Sequence, residues 1–281
     1  MFSYAGKTAL ITGASSGIGE AFAHILAARG MQLVLVARSA GKLRVMAQAL
    51  SEQHGIRVEV VPADLSSEGA AQEVYRRTQA LGVSVDLLVN NAGVGTYGGF
   101  DTLAPEREHE ELMLNVTALV DLTHAFVPAM VGRKDGGVIN VASIAAFQPV
   151  PYQAVYGASK AFVLSFSLAL WAEYRKLGVR VVVLCPGPTA TNFFTTLGAD
   201  DVPMLSKMHT PEAVVVAGLR ALEQGRPYAV EGRRNAFGAQ VTHMTPLALT
   251  ARVFERVMRP RKQEAQPGER ATTPLASRGR L

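Results

Sequence analysis

Three side chains stand out for the chemistry they can do. Ser143, Tyr156 and Lys160 follow one another at intervals of thirteen and four residues. Tyr156 and Lys160, four apart, share one face wherever the chain is helical. An unperturbed tyrosine has a pKa of about 10 and is a poor base at pH 7. A lysine charge about 4 Å away contributes on the order of 4 kcal/mol at an effective dielectric near that of a protein surface, which favours the phenolate. A serine placed beside them hydrogen-bonds an oxygen that gains negative charge. The chemistry is general acid–base work at an oxygen atom. The spacing alone does not establish it, because Tyr-x-x-x-Lys arises by chance and reads equally well as an ordinary helix surface.

A second motif narrows the choice. An apolar run at 8–11 leads into Thr12-Gly13-Ala14-Ser15-Ser16-Gly17-Ile18-Gly19 and then into a helical pattern. Glycines between a strand and a helix permit a tight turn, close approach of a pyrophosphate and tight helix packing. The free N–H groups at the helix start then meet the phosphate charge. The spacing is Gly-x-x-x-Gly-x-Gly and lacks the Gly-Lys-Ser/Thr of a nucleoside-triphosphate loop; a tight connection without a ligand remains the alternative. After the second apolar run, Ala37 stands where a dinucleotide site carries the acid that binds the ribose 2′-hydroxyl, and Arg38 follows. An arginine pairs with a 2′-phosphate, so NADP is expected over NAD, which is the less favoured cofactor; the alternative is a surface arginine that opens a loop. A bound cationic nicotinamide adds to the effect of Lys160 on Tyr156.

Elements that position these residues follow from the pattern. Apolar, β-branched runs at 8–11, 32–36, 57–61, 86–89, 137–141 and 180–184, with a weaker one at 228–230, predict strands buried on both faces. Helical spacing at 18–29, 42–54, 70–81, 106–130 and 156–177 fills the intervals. Strand–helix alternation predicts an α/β fold: one doubly wound, Rossmann-like, mostly parallel sheet with helices on both faces, in a single domain over 1–258. Residues 188–212 read as an apolar loop over the substrate, 233–258 as a helical end segment interrupted by Pro246, and 259–281 as a disordered basic tail.

Taken together, the motifs closely resemble the short-chain dehydrogenase/reductase family, in its single-domain branch. The resemblance covers about residues 6–232 and rests on Thr12–Gly19, Asp64-Leu65, Asn90-Asn91-Ala92-Gly93, Asn115, Ser143, Tyr156-Gly157-Ala158-Ser159-Lys160 and Pro186-Gly187. It implies that Tyr156 is the acid/base, that Lys160 holds the ribose hydroxyls and lowers the tyrosine pKa, and that Ser143 orients substrate. Asn115 would hold, through its backbone, a water that links Lys160 to solvent. Gly13, Ser15, Ser16, Gly17, Ile18 and Gly19 would cradle the pyrophosphate, and Asp64 with Leu65 the adenine. Asn90, Ala92 and Gly93 would line the adenosine ribose, and Pro186, Gly187, Thr189 and Thr191 the nicotinamide end. The implied reaction is reversible hydride transfer between NADP(H) and a carbonyl or alcohol. Phe147, Phe193, Phe194 and Met204, with Pro149, Val150 and Leu197, suggest a bulky apolar substrate; the alternative is that these side chains pack the loop onto the body.

Composition excludes other classes. In 281 residues, 48% are hydrophobic and 18% charged, an ordinary globular balance. Most of the formal charge of +5 lies in 259–281, with six Lys or Arg against two Glu, so the body has no case for nucleic acid. The tail can touch an anionic partner or membrane surface. The longest strongly apolar stretch, 161–172, is too short to span a bilayer, and no secretory signal is read at the start. Cys185 is the only cysteine, which fits a reducing compartment and a cytoplasmic location. None of the six histidines forms a close pair with it at metal-ligand spacing, so no metal site is expected. Glu108, Glu110 and Glu111 read as a solvated acidic helix start. Ser143 and Ser159 lack a nucleophile elbow, and too few residues follow Gly187 for the substrate domain of a nucleotide-sugar epimerase. Phe162, Phe166 and Trp171 read as core or as a subunit contact, a homo-oligomer being implied by the resemblance. The alternative function is an NADP-binding sensor or scaffold without useful turnover.

Overall fold

Leu10 and Ile11 are adjacent in sequence and both fully buried, but in opposite layers of the structure. Side chains alternate across a strand, so consecutive apolar residues need apolar cover on both faces. The computed structural model, which describes residues 2–197 and 208–260, supplies that cover. Its strands are β1 (Thr8–Thr12), β2 (Gln32–Ala37), β3 (Val58–Pro62), β4 (Leu87–Asn90), β5 (Gly136–Val141), β6 (Val179–Cys185) and β7 (Tyr228–Val230). They form one parallel sheet in the order β3-β2-β1-β4-β5-β6-β7.

Helices α1 (Gly17–Ala28), α2 (Ala40–His54) and α8 (Pro211–Gln224) bury Phe22, Leu26, Leu43, Leu50, Leu219 and Leu222 on one face. On the other, α3 (Ala70–Ala80), α5 (Ala118–Arg133) and α6 (Ala154–Tyr174) bury Val74, Leu122, Phe126, Met130, Val163 and Leu164. The helix 105–133 and α6 are long and apolar enough to cross a membrane by length and composition. Their apolar content is explained by the sheet face and helices they pack against.

The single helix expected over 106–130 is instead α4 (Pro105–Leu112), one π turn (Met113–Thr117) and α5. A π turn widens the helix locally and is common at functional sites; here it contains Asn115, which is buried. The loop region contains a short helix, α7 (Phe193–Leu197), and its base is closed by a parallel bridge between Thr189 and His209. Thr210 caps α8 by accepting from the Ala213 amide at 3.2 Å, with Pro211 at the first helical position. The end segment forms α9 (Arg233–Met244) and α10 (Leu247–Met258), and Pro246 keeps Thr245 extended between them. The basic stretch from residue 261 lies outside the described residues.

The sheet's cover is energetically substantial. Phe22→Ala, which empties the contact between α1, α8 and the sheet, is expected to cost about 3–5 kcal/mol in denaturant unfolding.

Candidate active site

Strand order reverses between β1 and β4, so the loops leaving their carboxyl ends diverge and open a crevice. A cleft of about 410 Å³ occupies it. Its floor is tied by Thr12, whose Oγ1 accepts from the amides of Asn91 and Ala92, both at 2.9 Å. The Asn91 side-chain amide returns a bond to the Thr12 carbonyl at 2.9 Å.

Gly13 and Gly17 have φ of 64° and 58°, the left-handed region where glycine is favoured. A Cβ on Gly19 would stand 2.2 Å from the Gly13 carbonyl oxygen, so only glycine lets α1 approach β1 this closely. Ser16, at the helix start, makes no side-chain capping bond. The first-turn amides of α1, with their share of the helix dipole, adjoin the cleft lined by Ser15, Ser16, Gly17 and Ile18. This cradle fits a dinucleotide pyrophosphate. Ala92, Gly93, Pro186, Gly187, Thr189 and Thr191 line the same cleft.

Two expected contacts are corrected by burial. Gly19 does not line the cleft; it serves the helix–strand approach. Asn90 points away from it, donating to Asn140 Oδ1 at 2.9 Å and Thr123 Oγ1 at 3.2 Å inside the sheet. Its neighbour Asn91 lines the cleft instead.

Asp64, Leu65 and Arg38 line the far end. The Asp64 carboxylate accepts from the Ser66 hydroxyl at 2.7 Å and its amide at 3.1 Å, which hold it below the usual carboxylate range. The Arg38 side chain is 65% exposed and lies 3.8 Å from Glu110. Arg107, which belongs to no sequence motif, also lines the cleft and holds the other Glu110 oxygen at 2.8 Å. Its only sequence signal was the three-residue spacing to Glu110.

At the opposite end, α6 presents Tyr156 and Lys160 on one buried face, and both line the cleft with Ser143. Ser143 begins a short 3-10 turn after β5, its Oγ accepting from the Ala145 amide at 3.1 Å. Lys160 Nζ donates to the Val141 carbonyl at 3.1 Å and sits 5.8 Å from the Tyr156 ring centre. Burial brings the ammonium down to about 8, against the opposing pull of Glu111 and Cys185.

The lowering of Tyr156 expected from Lys160 is not what the chain's own residues produce. Burial pushes the phenol up to about 12; the Ser143 hydrogen bond lowers it, and the Glu111 charge raises it further. At neutral pH Tyr156 is therefore a protonated donor. Asn115 lies behind the cleft wall. Its Oδ1 accepts from the Val94 amide at 3.0 Å, and its Nδ2 donates to the Val94 carbonyl at 2.9 Å and Ser159 Oγ at 3.1 Å.

The acidic helix start also differs from expectation. Glu108 and Glu111 are buried, not solvated, because α4 turns this face onto α6 and the loop after β4. Among the described residues no group of three His, Cys, Asp or Glu side chains could hold a metal ion.

Beside Tyr156 the wall is apolar. Phe193 tilts against its ring at 5.5 Å between centres, and Val150, Leu197 and Phe254 complete the lining. Phe254 comes from α10, too distant in sequence for any motif to reveal. Phe147 is corrected: it is buried with Leu119, Val163 and Leu164 and does not line the cleft. The side chain of Phe194 and all of Met204 lie outside the described residues.

Comparison with known proteins agrees with this geometry. A family model described as short chain dehydrogenase matches residues 7–201. The very-long-chain 3-oxoacyl-CoA reductase of Anas platyrhynchos is 34% identical over 220 residues, covering 76% of this chain and 68% of the relative. A short-chain dehydrogenase from Sphingobium yanoikuyae, solved with NADPH, superposes with a TM-score of 0.77 at 31% identity, covering 93% of this chain and 99% of the other. A Burkholderia phymatum short-chain dehydrogenase/reductase, solved with NAD, gives 0.79 at 27% identity, covering 87% and 95%.

The helix–strand approach generates a test. Gly19→Ala drives a methyl into backbone that cannot yield, and is expected to cost about 1–3 kcal/mol of stability. Nicotinamide dinucleotide binding, read by fluorescence titration, should weaken with it.

Proposed function

The chain belongs to the short-chain dehydrogenase family and is an oxidoreductase of alcohol and carbonyl groups, and we propose that it reduces a bulky apolar ketone or aldehyde with NADPH. One observation carries this reading: Ser143, Tyr156 and Lys160 meet at the apolar end of a cleft whose other end is a glycine cradle beside Arg38.

When bound, NADPH supplies the hydride that reduces the carbonyl carbon. The chain's residues manage the oxygen and the pose. Tyr156 gives its phenolic proton to the carbonyl oxygen as charge gathers there, and solvent restores that proton. The Ser143 hydroxyl donates to the same oxygen and stabilises the charge. Lys160 holds the ribose hydroxyls and so places the nicotinamide face. Phe193, Val150, Leu197 and Phe254 exclude water from the reacting carbon.

Arg38 and Arg107 support NADP over NAD: both line the cleft at the adenosine end, and Ala37 offers no carboxylate to repel a 2′-phosphate. Glu110, which holds Arg107 and approaches Arg38, shares both guanidinium groups with the phosphate. A large carbonyl substrate is supported by the apolar wall and by the relative that reduces very-long-chain 3-oxoacyl-CoA. A homo-oligomer in the cytoplasm is part of the same proposal. Phe162, 42% exposed and stacked on Phe166 at 5.7 Å, supports a subunit contact along α6.

Fluorescence titration should give NADPH at least about tenfold tighter than NADH, or about 1.4 kcal/mol, with Arg38→Ala removing most of the difference. Equal affinities would sink the cofactor preference. Tyr156→Phe should lower kcat for a bulky ketone by about 10²–10⁴ while cofactor affinity holds; unchanged turnover would sink the assigned chemistry.

A further inference from the structure

Glu111 is the buried charge that this mechanism leaves unused. The residue is 0% exposed, yet it lies outside the cleft lining. One carboxylate oxygen accepts from Thr96 Oγ1 at 2.9 Å, and the other has no hydrogen-bond partner among the described residues. An ionised carboxylate in such a place is costly unless an opposite charge compensates it.

The groups facing it come from every packed element. Its own helix contributes Glu108, one turn back and of like charge. The loop after β4 contributes neutral Thr96, and α6 contributes Lys160 and Tyr156. Cys185 of β6 also acts on Lys160. The loop after β4 brings these groups into one neighbourhood: a Cβ on Gly93 would stand 3.2 Å from Lys160 Nζ, one on Gly95 would stand 3.1 Å from the Tyr156 ring, and Thr96 of the same loop bonds Glu111.

We propose that Glu111 is a positioning residue, a counter-charge behind the cleft wall that keeps the Lys160 ammonium protonated for its contact with the cofactor ribose. The inference rests on the role given to Lys160 above. The signs agree. Burial alone acts to strip Lys160 of its proton, and the Glu111 charge opposes this, leaving the amine at about 8. Burial holds Glu111 itself up to about 7. Between those two values each is at least half charged, which is where a missing partner is felt most. The same carboxylate keeps the Tyr156 phenol protonated. Glu111 thus favours the proton-bearing form of both groups.

The test is the titration of Lys160 in the full chain, followed by NMR of lysine labelled with ¹³C at Cε. Lys160→Arg assigns the resonance, and circular dichroism checks folding. Glu111→Gln, an isostere that can still accept from Thr96, should lower the Lys160 midpoint by about one pH unit. Glu111→Asp should restore most of it, and Glu108→Gln should leave it within about 0.3 of the parent. The alkaline limb of kcat/KM for NADPH-dependent ketone reduction should move with the midpoint. Should Glu111→Gln not fold, Thr96→Val serves: losing that hydrogen bond raises the pH at which Glu111 ionises, so the Lys160 midpoint should still fall. A midpoint unchanged to within about 0.2 in these variants overturns the proposal. A shifted midpoint in a protein that neither binds NADPH nor turns over a ketone upholds the charge pairing and sinks the function assigned above.

Discussion

The approach of α1 to the end of β1 governs the rest of the site. Gly19 passes so close to the Gly13 carbonyl that no side chain fits, and Gly13 itself leaves no room between its backbone and Asn91. Because the two glycines yield this space, Thr12 can reach the amides of Asn91 and Ala92 and bind β1 to the loop leaving β4. The crevice of the switch point then has a backbone floor with amide donors at one end. Everything further along the cleft, from the adenosine end to Tyr156, is placed relative to that floor.

Lys160, Tyr156, Glu111 and Cys185 share a volume from which water is nearly excluded. Desolvation pushes each toward its neutral form, so Lys160 goes down while Tyr156, Glu111 and Cys185 go up. Charges also act further there than in water. That is why a carboxylate outside the cleft can influence the acid inside it. The apolar wall of Phe193, Val150, Leu197 and Phe254 has a second role besides shape, since it maintains the dryness on which these shifts depend.

Local spacing made much of the site legible. The glycine turn, the Tyr156–Lys160 interval and the alternation of strands and helices express short-range geometry, and apart from α7, α8 and the π turn inside 106–130 each appears where the pattern placed it. Readings that failed depended on which way a residue faces. Asn90 and Asn91 are adjacent and chemically identical, yet strand alternation sends one into the sheet and leaves the other at the cleft. Phe147 is as apolar as Phe193, but its turn aims it at α5 and α6. Glu111 carries the composition of a solvated helix start, and only the packing of α4 on α6 makes it a buried charge.

The chain order of residue types therefore determined by itself the fold class, the strand that delivers the glycine turn and the pairing of a tyrosine with a lysine. These depend on dihedral preferences and on periodicities of two and 3.6, which act between near neighbours. Tertiary structure alone decided the burial of Tyr156, the contribution of Phe254 from α10 and the burial of Glu111. Burial and field strength are sums over atoms distant in sequence, and no local pattern contains them.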